Sequence, residues 1–404
     1  LPKTYLDCNV LEAAKERIAF CFDEFERIYV SFSGGKDSAA MLHLVADEAR
    51  KRGKRFGIMV IDWECQFTLT ANFIKTTIDS MRDIADSYWY QVPMTTWNGC
   101  SQFEPEWTAW DENKKDLWVR DKDKDAITDT KKIPFYYKGM TFEEFTELFA
   151  EWYSDGKSCC CFVGIRAGES LNRFRTVARD KPTYKSKQWT TQLSPSSWNA
   201  YPIYDWKTSD IWTYFGKFKR EYNKLYDRMH QAGMTISQMR IDEPFGDTQR
   251  QSLWLYQVIE PELWAKIVSR VAGANTGGLY AKESGNILGN RYIKLPDGHT
   301  WESFAKLLLD TMPPTTSNHY KNKIAVYIKW HLVRGYESGI PDEADYKLET
   351  YGKAPSWRKI CKTILRNDYW CRGLGFSPTK STAYAKYMEL MKRRRTKWGL
   401  FDSD

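Results

Sequence analysis

The chain has 404 residues, of which 42% are hydrophobic, 15% aromatic and 28% charged. That composition excludes a disordered polymer and leaves room for one large domain or two ordinary ones. The net charge is +8 and unevenly placed: residues 301–404 hold 19 Lys and Arg against 11 Asp and Glu, while the first 300 hold 41 of each.

Such asymmetry points to a polyanionic partner, nucleic acid among them, or to a solvated basic tail. Nine cysteines, three of them adjacent, do not form the pattern of a secreted disulfide framework. Leu1 to Val10 lacks the apolar run of a signal peptide, and no stretch reaches the ~20 apolar residues of a membrane span. A cytoplasmic, reduced protein without a membrane partner is expected.

In chain order, Leu11 to Phe25 carries apolar residues at Ala14, Ile18, Phe22 and Phe25, the spacing of an amphipathic helix. Arg27 to Phe32 is a β-branched and aromatic strand. A helix from about Asp37 to Arg52 ends at Gly53. Phe56 to Ile61 is a second strand, about Phe67 to Ala85 a helix, and Tyr88 to Val92 a third strand. This order predicts an α/β fold, a mostly parallel sheet with helices on both faces.

Residues 98–132 break the rhythm with the mixed-charge run 111–125 and Trp107, Trp110 and Trp118. They are expected to form an inserted loop or lid. Thr141 with Glu144 is a capping box opening a helix, and Cys160 to Ile165 is the next strand. Past Pro244 the rhythm fades into helices, at Ser252 to Val271, His319 to Tyr336, and Ser381 to Lys397 with its Arg393-Arg394-Arg395 end. Two domains are expected: a nucleotide-binding domain over 1–245 and a basic, mainly helical domain over 246–404.

The strongest motif is Ser31-Phe32-Ser33-Gly34-Gly35-Lys36-Asp37-Ser38, between a predicted strand and a predicted helix. Its glycines let the backbone turn and approach a phosphate closely. The helix N-terminus adds N–H groups and a positive dipole end. Ser33 and Ser38 bring hydroxyls and Lys36 a charge, while Asp37 can bind Mg²⁺ or cap the helix. Ser31, Ser33, Gly34, Gly35, Lys36, Asp37 and Ser38 are therefore candidate nucleotide-binding residues. Asp62 joins them, since it ends the second strand where open α/β sheets bind ligands. Asp37 and Asp62 are the candidate Mg²⁺ ligands.

The string is not the G-x-x-x-x-G-K-[ST] loop of nucleoside triphosphatases. It resembles the PP-loop of the ATP-pyrophosphatase superfamily, which implies cleavage of ATP between its α and β phosphates. Three later strings extend the likeness: Gly164-Ile165-Arg166-Ala167-Gly168-Glu169-Ser170-Leu171-Asn172-Arg173, then Tyr201 to Trp212, then Asn223-Lys224-Leu225-Tyr226-Asp227. Their order resembles the phosphoadenosine-phosphosulfate reductase family over about residues 25–245. The resemblance implies that Arg166 and Arg173 meet the anionic end of the nucleotide. Arg guanidinium groups suit phosphate or sulfate oxygens. For Arg173 the alternative is a salt bridge to Glu169, four residues away on a helix. Asp205 and Asp210 are alternatively caps of a helix starting near Ser209.

The chain departs from that family in one respect. It has no Glu-Cys-Gly-Leu-His-like string to carry a nucleophilic thiol. Cys159-Cys160-Cys161 is followed only by Cys361 and Cys371, ten positions apart, so no iron–sulfur cluster is expected and the triplet is read as strand packing. The five histidines give no zinc pattern. Met239 to Asp247 with the long C-terminal extension resembles an IbrA-like bacterial and phage subgroup named for phosphoadenosine-phosphosulfate sulfotransferases. That resemblance implies a ParB-like protein partner. The function expected is an enzyme that binds ATP with Mg²⁺ and adenylates an acceptor, with Lys36, Asp37, Arg166 and Arg173 catalytic. The alternatives are a reductase or sulfotransferase acting on phosphoadenosine phosphosulfate, or a non-catalytic nucleotide sensor working with a ParB-like or DNA partner.

Overall fold

The computed structural model describes residues 7–101, 104, 106–178, 181–246, 252–279, 295–312, 314–366, 368 and 370–376. Two compact units divide the chain: residues 1–98 with 106–278, and 99–105 with 279–404.

The first unit is built on a six-stranded sheet. Helix α1 (Val10–Glu24) opens on a capping box in which Asn9 and Glu12 satisfy each other's backbone N–H groups. Then come β1 (Arg27–Ser31), α2 (Lys36–Arg52), β2 (Phe56–Ile61), α3 (Thr68–Asp79) and β3 (Ala85–Tyr90). A two-stranded ribbon of β4 (Met94–Trp97) and β5 (Glu106–Ala109) follows, then α4 (Phe142–Ser154) behind the expected Thr141–Glu144 box. The unit continues with β6 (Cys159–Val163), α5 (Leu171–Ala178), β7 (Thr190–Gln192), β8 (Ser197–Ala200), α6 (Thr208–Phe218) and α7 (Leu225–Gln231).

The sheet runs β3-β2-β1-β6-β8-β7, with only the β7–β8 pair antiparallel. This is the parallel α/β architecture expected. Helices cover the sheet, so its central strands read as continuous apolar runs; all six residues of β2 are buried. After β1 the chain winds outward through β2 and β3, then returns to lay β6 on the other side of β1. The topological switch point therefore lies between β1 and β6, where open sheets of this kind bind ligands at the strands' carboxyl ends.

Two local expectations are corrected. Helix α3 stops at Asp79 and β3 starts at Ala85, earlier than Tyr88. β3 is an edge strand whose Asp86 and Ser87 are exposed, so polarity hid it. The stretch 98–132, expected as an inserted loop or lid, carries packed residues where it is described. Residues Glu106–Ala109 pair with β4, and Trp107 and Trp110 are buried. Finally, α8 (Trp254–Ile259) and α9 (Pro261–Arg270) replace one predicted helix, and α10 (Ala274–Leu279) lies beyond its expected end. The break falls at Pro261, which has no N–H to continue the preceding helix and sits at the start of α9.

Residues 252–278 pack with the sheet, so the division comes later than Pro244. Tyr256 stacks on Phe67 with ring centroids 3.8 Å apart, and its hydroxyl donates to the Cys65 carbonyl at 2.8 Å. Arg270 pairs with Glu64 through two hydrogen bonds of 2.8 and 2.9 Å, both side chains buried.

The second unit is helical: α11 (Trp301–Asp310), α12 (Pro314–Leu332), α13 (Tyr346–Thr350) and α14 (Trp357–Leu365). Trp301, Leu309, Tyr320, Ile324, Ile360 and Ile364 form part of its core. The helix expected over Ser381 to Lys397 lies outside the described residues. Among the described residues no helix is long and apolar enough to cross a membrane.

Candidate phosphate-binding site

The loop after β1 folds because its residues permit one tight path. Gly34 has φ +74°, and a Cβ there would sit 3.0 Å from side-chain atoms of both Thr70 and Ile74. Only glycine meets both demands without strain. Asn223 fixes the turn from across the unit. Its amide donates to the Gly34 carbonyl and to Thr70 Oγ1, each at 3.0 Å. Gly35 then caps α2 with no side-chain hydrogen bond of its own. The Ser33 and Ser38 hydroxyls are 3.1 Å apart, and Ser38 Oγ donates to the Gly35 carbonyl at 3.1 Å. Ser31 closes β1, in register with Met59 and Val163.

Charge concentrates at the first turn of α2. Lys36 is only 3% exposed. Its Nζ lies 3.1 Å from Asp37 Oδ2 and donates to the Met239 carbonyl at 3.3 Å, while its backbone N–H donates to the Tyr226 hydroxyl at 3.0 Å. Arg166, 4% exposed, donates from Nε to Asp37 Oδ1 at 2.5 Å and from Nη1 to Thr208 Oγ1 at 3.2 Å. Asp37 thus holds a lysine and an arginine side by side. Arg166 arrives from β6 because Gly164 lets that strand end press on α2. A Cβ on Gly164 would lie 2.8 Å from the Ser38 nitrogen and 2.9 Å from the Asp37 carbonyl carbon.

Arg173 makes the i, i+4 ion pair to Glu169 at 3.1 Å and approaches Asp242 at 3.7 Å. Arg240 donates to the Glu169 carbonyl at 2.6 Å. Burial pushes the Glu169 and Asp242 carboxyls above their ordinary range, against the pull of the Arg173 charge. Asp210 caps α6 through the Lys207 N–H at 2.7 Å, whereas Asp205 instead takes a two-pronged pair from Arg17 on α1 at 2.8 and 2.9 Å.

Asp62 stands apart from this group. It is buried, and its oxygens accept from the Glu64 N–H at 2.9 Å, Gln91 Nε2 at 2.9 Å, Trp89 Nε1 at 3.2 Å and the Arg120 guanidinium. Burial alone would raise its carboxyl; the Arg120 charge and these donors prevail and hold it below its ordinary value. Among the described residues no hydrogen bond or ion pair links it to Asp37. The oxygens of Asp37 face Lys36 and Arg166. Among the described residues no group of three or more His, Cys, Asp or Glu is placed to hold a metal ion.

Cys159, Cys160 and Cys161 are buried in β6. Burial raises all three thiols, Cys159 and Cys161 to about 12, which suits packing and not nucleophilic chemistry. Cys361 and Cys371 belong to the core of the second unit.

The contributions missed in the sequence come from Asn223, Tyr226, Met239, Thr208 and Gly164. Asn223 and Tyr226 lie in a string already singled out, but their contacts reach back about 190 residues, and Met239 acts through its carbonyl. No spacing rule encodes such contacts.

A family model described as the phosphoadenosine phosphosulfate reductase domain matches residues 27–237, and one described as a domain of unknown function (DUF3440) matches 233–338 and 336–385. The chain is 46% identical over 402 residues to the uncharacterized protein YbdN of Escherichia coli (strain K12), with 98% of each chain covered. It is 27% identical over 228 residues to the uncharacterized protein MJ0066 of Methanocaldococcus jannaschii, covering 53% of this chain and 37% of that protein. Among solved structures it is similar to FMN adenylyltransferase from Candida glabrata, at 18% identity and a TM-score of 0.34, over 54% of this chain and 58% of that one. It is similar also to phosphoadenylyl-sulfate reductase from Candida auris, at 11% identity and a TM-score of 0.31, over 56% and 94%. With its loop, arginine string and parallel sheet in place, the chain belongs to the phosphoadenosine phosphosulfate reductase domain family.

Proposed function

We propose that this protein binds ATP by its phosphates at the loop 31–38 and cleaves it between the α and β phosphates to adenylate an acceptor. One observation carries the reading. The loop follows β1 and Arg166 follows β6, the two strands flanking the switch point, so Lys36 and Arg166 converge at the N-terminus of α2. An oxygen of the acceptor attacks the α-phosphorus, the α–β phosphoanhydride bond breaks, and its electron pair leaves on pyrophosphate. Lys36 and Arg166, already ordered by Asp37, face the charge that builds on the phosphate oxygens. Arg173 adds a third cation once it yields part of its pairing with Glu169. Mg²⁺ enters this reading as the counter-ion of the substrate, because the oxygens of Asp37 and of Asp62 are engaged within the protein.

The reading is tested by incubating the protein with Mg²⁺ and ATP, and separately with phosphoadenosine phosphosulfate, and resolving the products by chromatography. AMP or an adenylated acceptor with pyrophosphate is expected. Lys36→Ala and Arg166→Ala should each lower its rate about 100-fold or more, the loss typical of one electrostatic contact in a transition state. Sulfite or adenosine 3′,5′-bisphosphate from the second nucleotide would replace this reading with sulfonucleotide chemistry. Tight ATP binding without turnover, whatever acceptor is supplied, would leave a nucleotide sensor.

A further inference from the structure

The second unit holds a cavity of about 780 Å³ between α12, α13, α14 and the turn Arg372–Leu374. That volume lies in the range of ligand sites. Its chemistry is one-sided. Lys359, Lys362, Arg366 and Arg372 line it, against Glu349 as the one acidic residue of the lining among the described residues. Glu349 is engaged elsewhere: both its oxygens accept from Arg358 Nε at 3.1 Å, and Oε1 accepts from the Ser356 hydroxyl at 2.5 Å and the Ala344 N–H at 3.2 Å. Lys362 lies 3.8 Å from it, and Lys359 makes no ion pair among the described residues. Burial lowers both ammonium groups against the pull of the Glu349 charge, and the Arg358 and Arg366 charges lower Lys362 further.

The same cavity carries rings that the core does not use. Trp330 is 51% exposed, Tyr346 66% and Tyr351 75%. Exposed aromatics beside crowded cations provide both a stacking face for a base and a counter-charge for its phosphate. We infer that this cavity binds single-stranded nucleic acid, with a phosphate against Lys359 and Lys362 and an unstacked base on Tyr351. An acidic peptide would satisfy the cations but make no use of the exposed Tyr351 ring.

The experiment is fluorescence anisotropy of the full chain with a labelled single-stranded oligonucleotide of about 12 nucleotides, as DNA and as RNA, over a range of salt. Binding of at least one strand type is expected, weaker for the matching duplex, whose bases are already stacked. Tyr351→Ala, at an exposed position, should weaken it about fivefold or more while leaving ATP-dependent pyrophosphate release unchanged. Lys359→Glu should weaken it further and reduce the log–log salt slope by about 0.7, with circular dichroism checking the fold. Four results would overturn the inference: no binding at low salt, equal binding by both variants, AMP bound as tightly as the oligonucleotide, or polyglutamate retained in its place.

Discussion

Gly164 places two strands' worth of chemistry in one spot. The atoms a Cβ would strike are backbone atoms of α2, which cannot swing aside as a side-chain tip can. Gly164→Ala should therefore displace Arg166 from Asp37 and cost about 1–3 kcal/mol of stability, measured by urea denaturation, with ATP affinity falling in parallel. Retained stability and affinity would show that β6 can retreat from α2 freely. The residue-scale chemistry also has a pH signature. The folded carboxyl of Asp62 is held below its ordinary value. Its contribution to stability is complete above the unfolded pKa and is lost as pH falls through the lower, folded one. Asp62→Asn should consequently flatten the acid limb of the stability–pH curve while lowering stability near neutrality. An unchanged acid limb would mean that Asp62 does not take part in that linkage.

At the scale of elements, the buried Glu64–Arg270 pair ties α9 to the turn after β2. Glu64 holds φ +59°, and its Oε2 also accepts from the Trp110 N–H at 2.6 Å, so three separate stretches meet on one carboxylate. Arg270→Met removes the two-pronged partner of that buried charge, and should cost about 3–5 kcal/mol. Glu64→Gln combined with Arg270→Met should recover part of the loss in the same denaturation assay. A double variant no more stable than the single one would assign the role to shape and not to charge.

The elements legible in the sequence were those whose local signals agreed. For β1, α2 and β2 the apolar runs, the glycine loop and Gly53 all pointed one way, and the box at Thr141 fixed the start of α4. Short polar strands were not legible. β7 and β8 have three and four residues, and β5 has four residues within a charged stretch. Their pairing is decided by partners far along the chain, which periodicity does not record. The site followed the same division. Its cations and glycines are in contiguous strings, while Asn223, Tyr226 and the Met239 carbonyl join it only through tertiary packing. The partner of Asp62 was not legible either: Arg120, from the expected lid, pairs with it across 58 positions of sequence.

Across the whole molecule, the match to the reductase domain ends at residue 237, yet the first compact unit runs to Gly278. The segment between supplies Tyr256 and Arg270 to the core and the Met239 carbonyl to Lys36. A chain ending at Gly278 should unfold cooperatively and keep its nucleotide affinity. One ending at Phe245 should lose both, because Glu64 is left uncompensated and Phe67 uncovered. Equal behaviour of the two would contradict the packing described for residues 252–278.

Calorimetric titration of the full chain with MgATP tests whether the loop 31–38 binds the phosphates of a nucleotide. The expected result is saturable, one-site binding that Lys36→Ala weakens at least about tenfold, equivalent to about 1.4 kcal/mol. An absence of ATP binding by the unaltered chain, or equal affinity in Lys36→Ala, would contradict it.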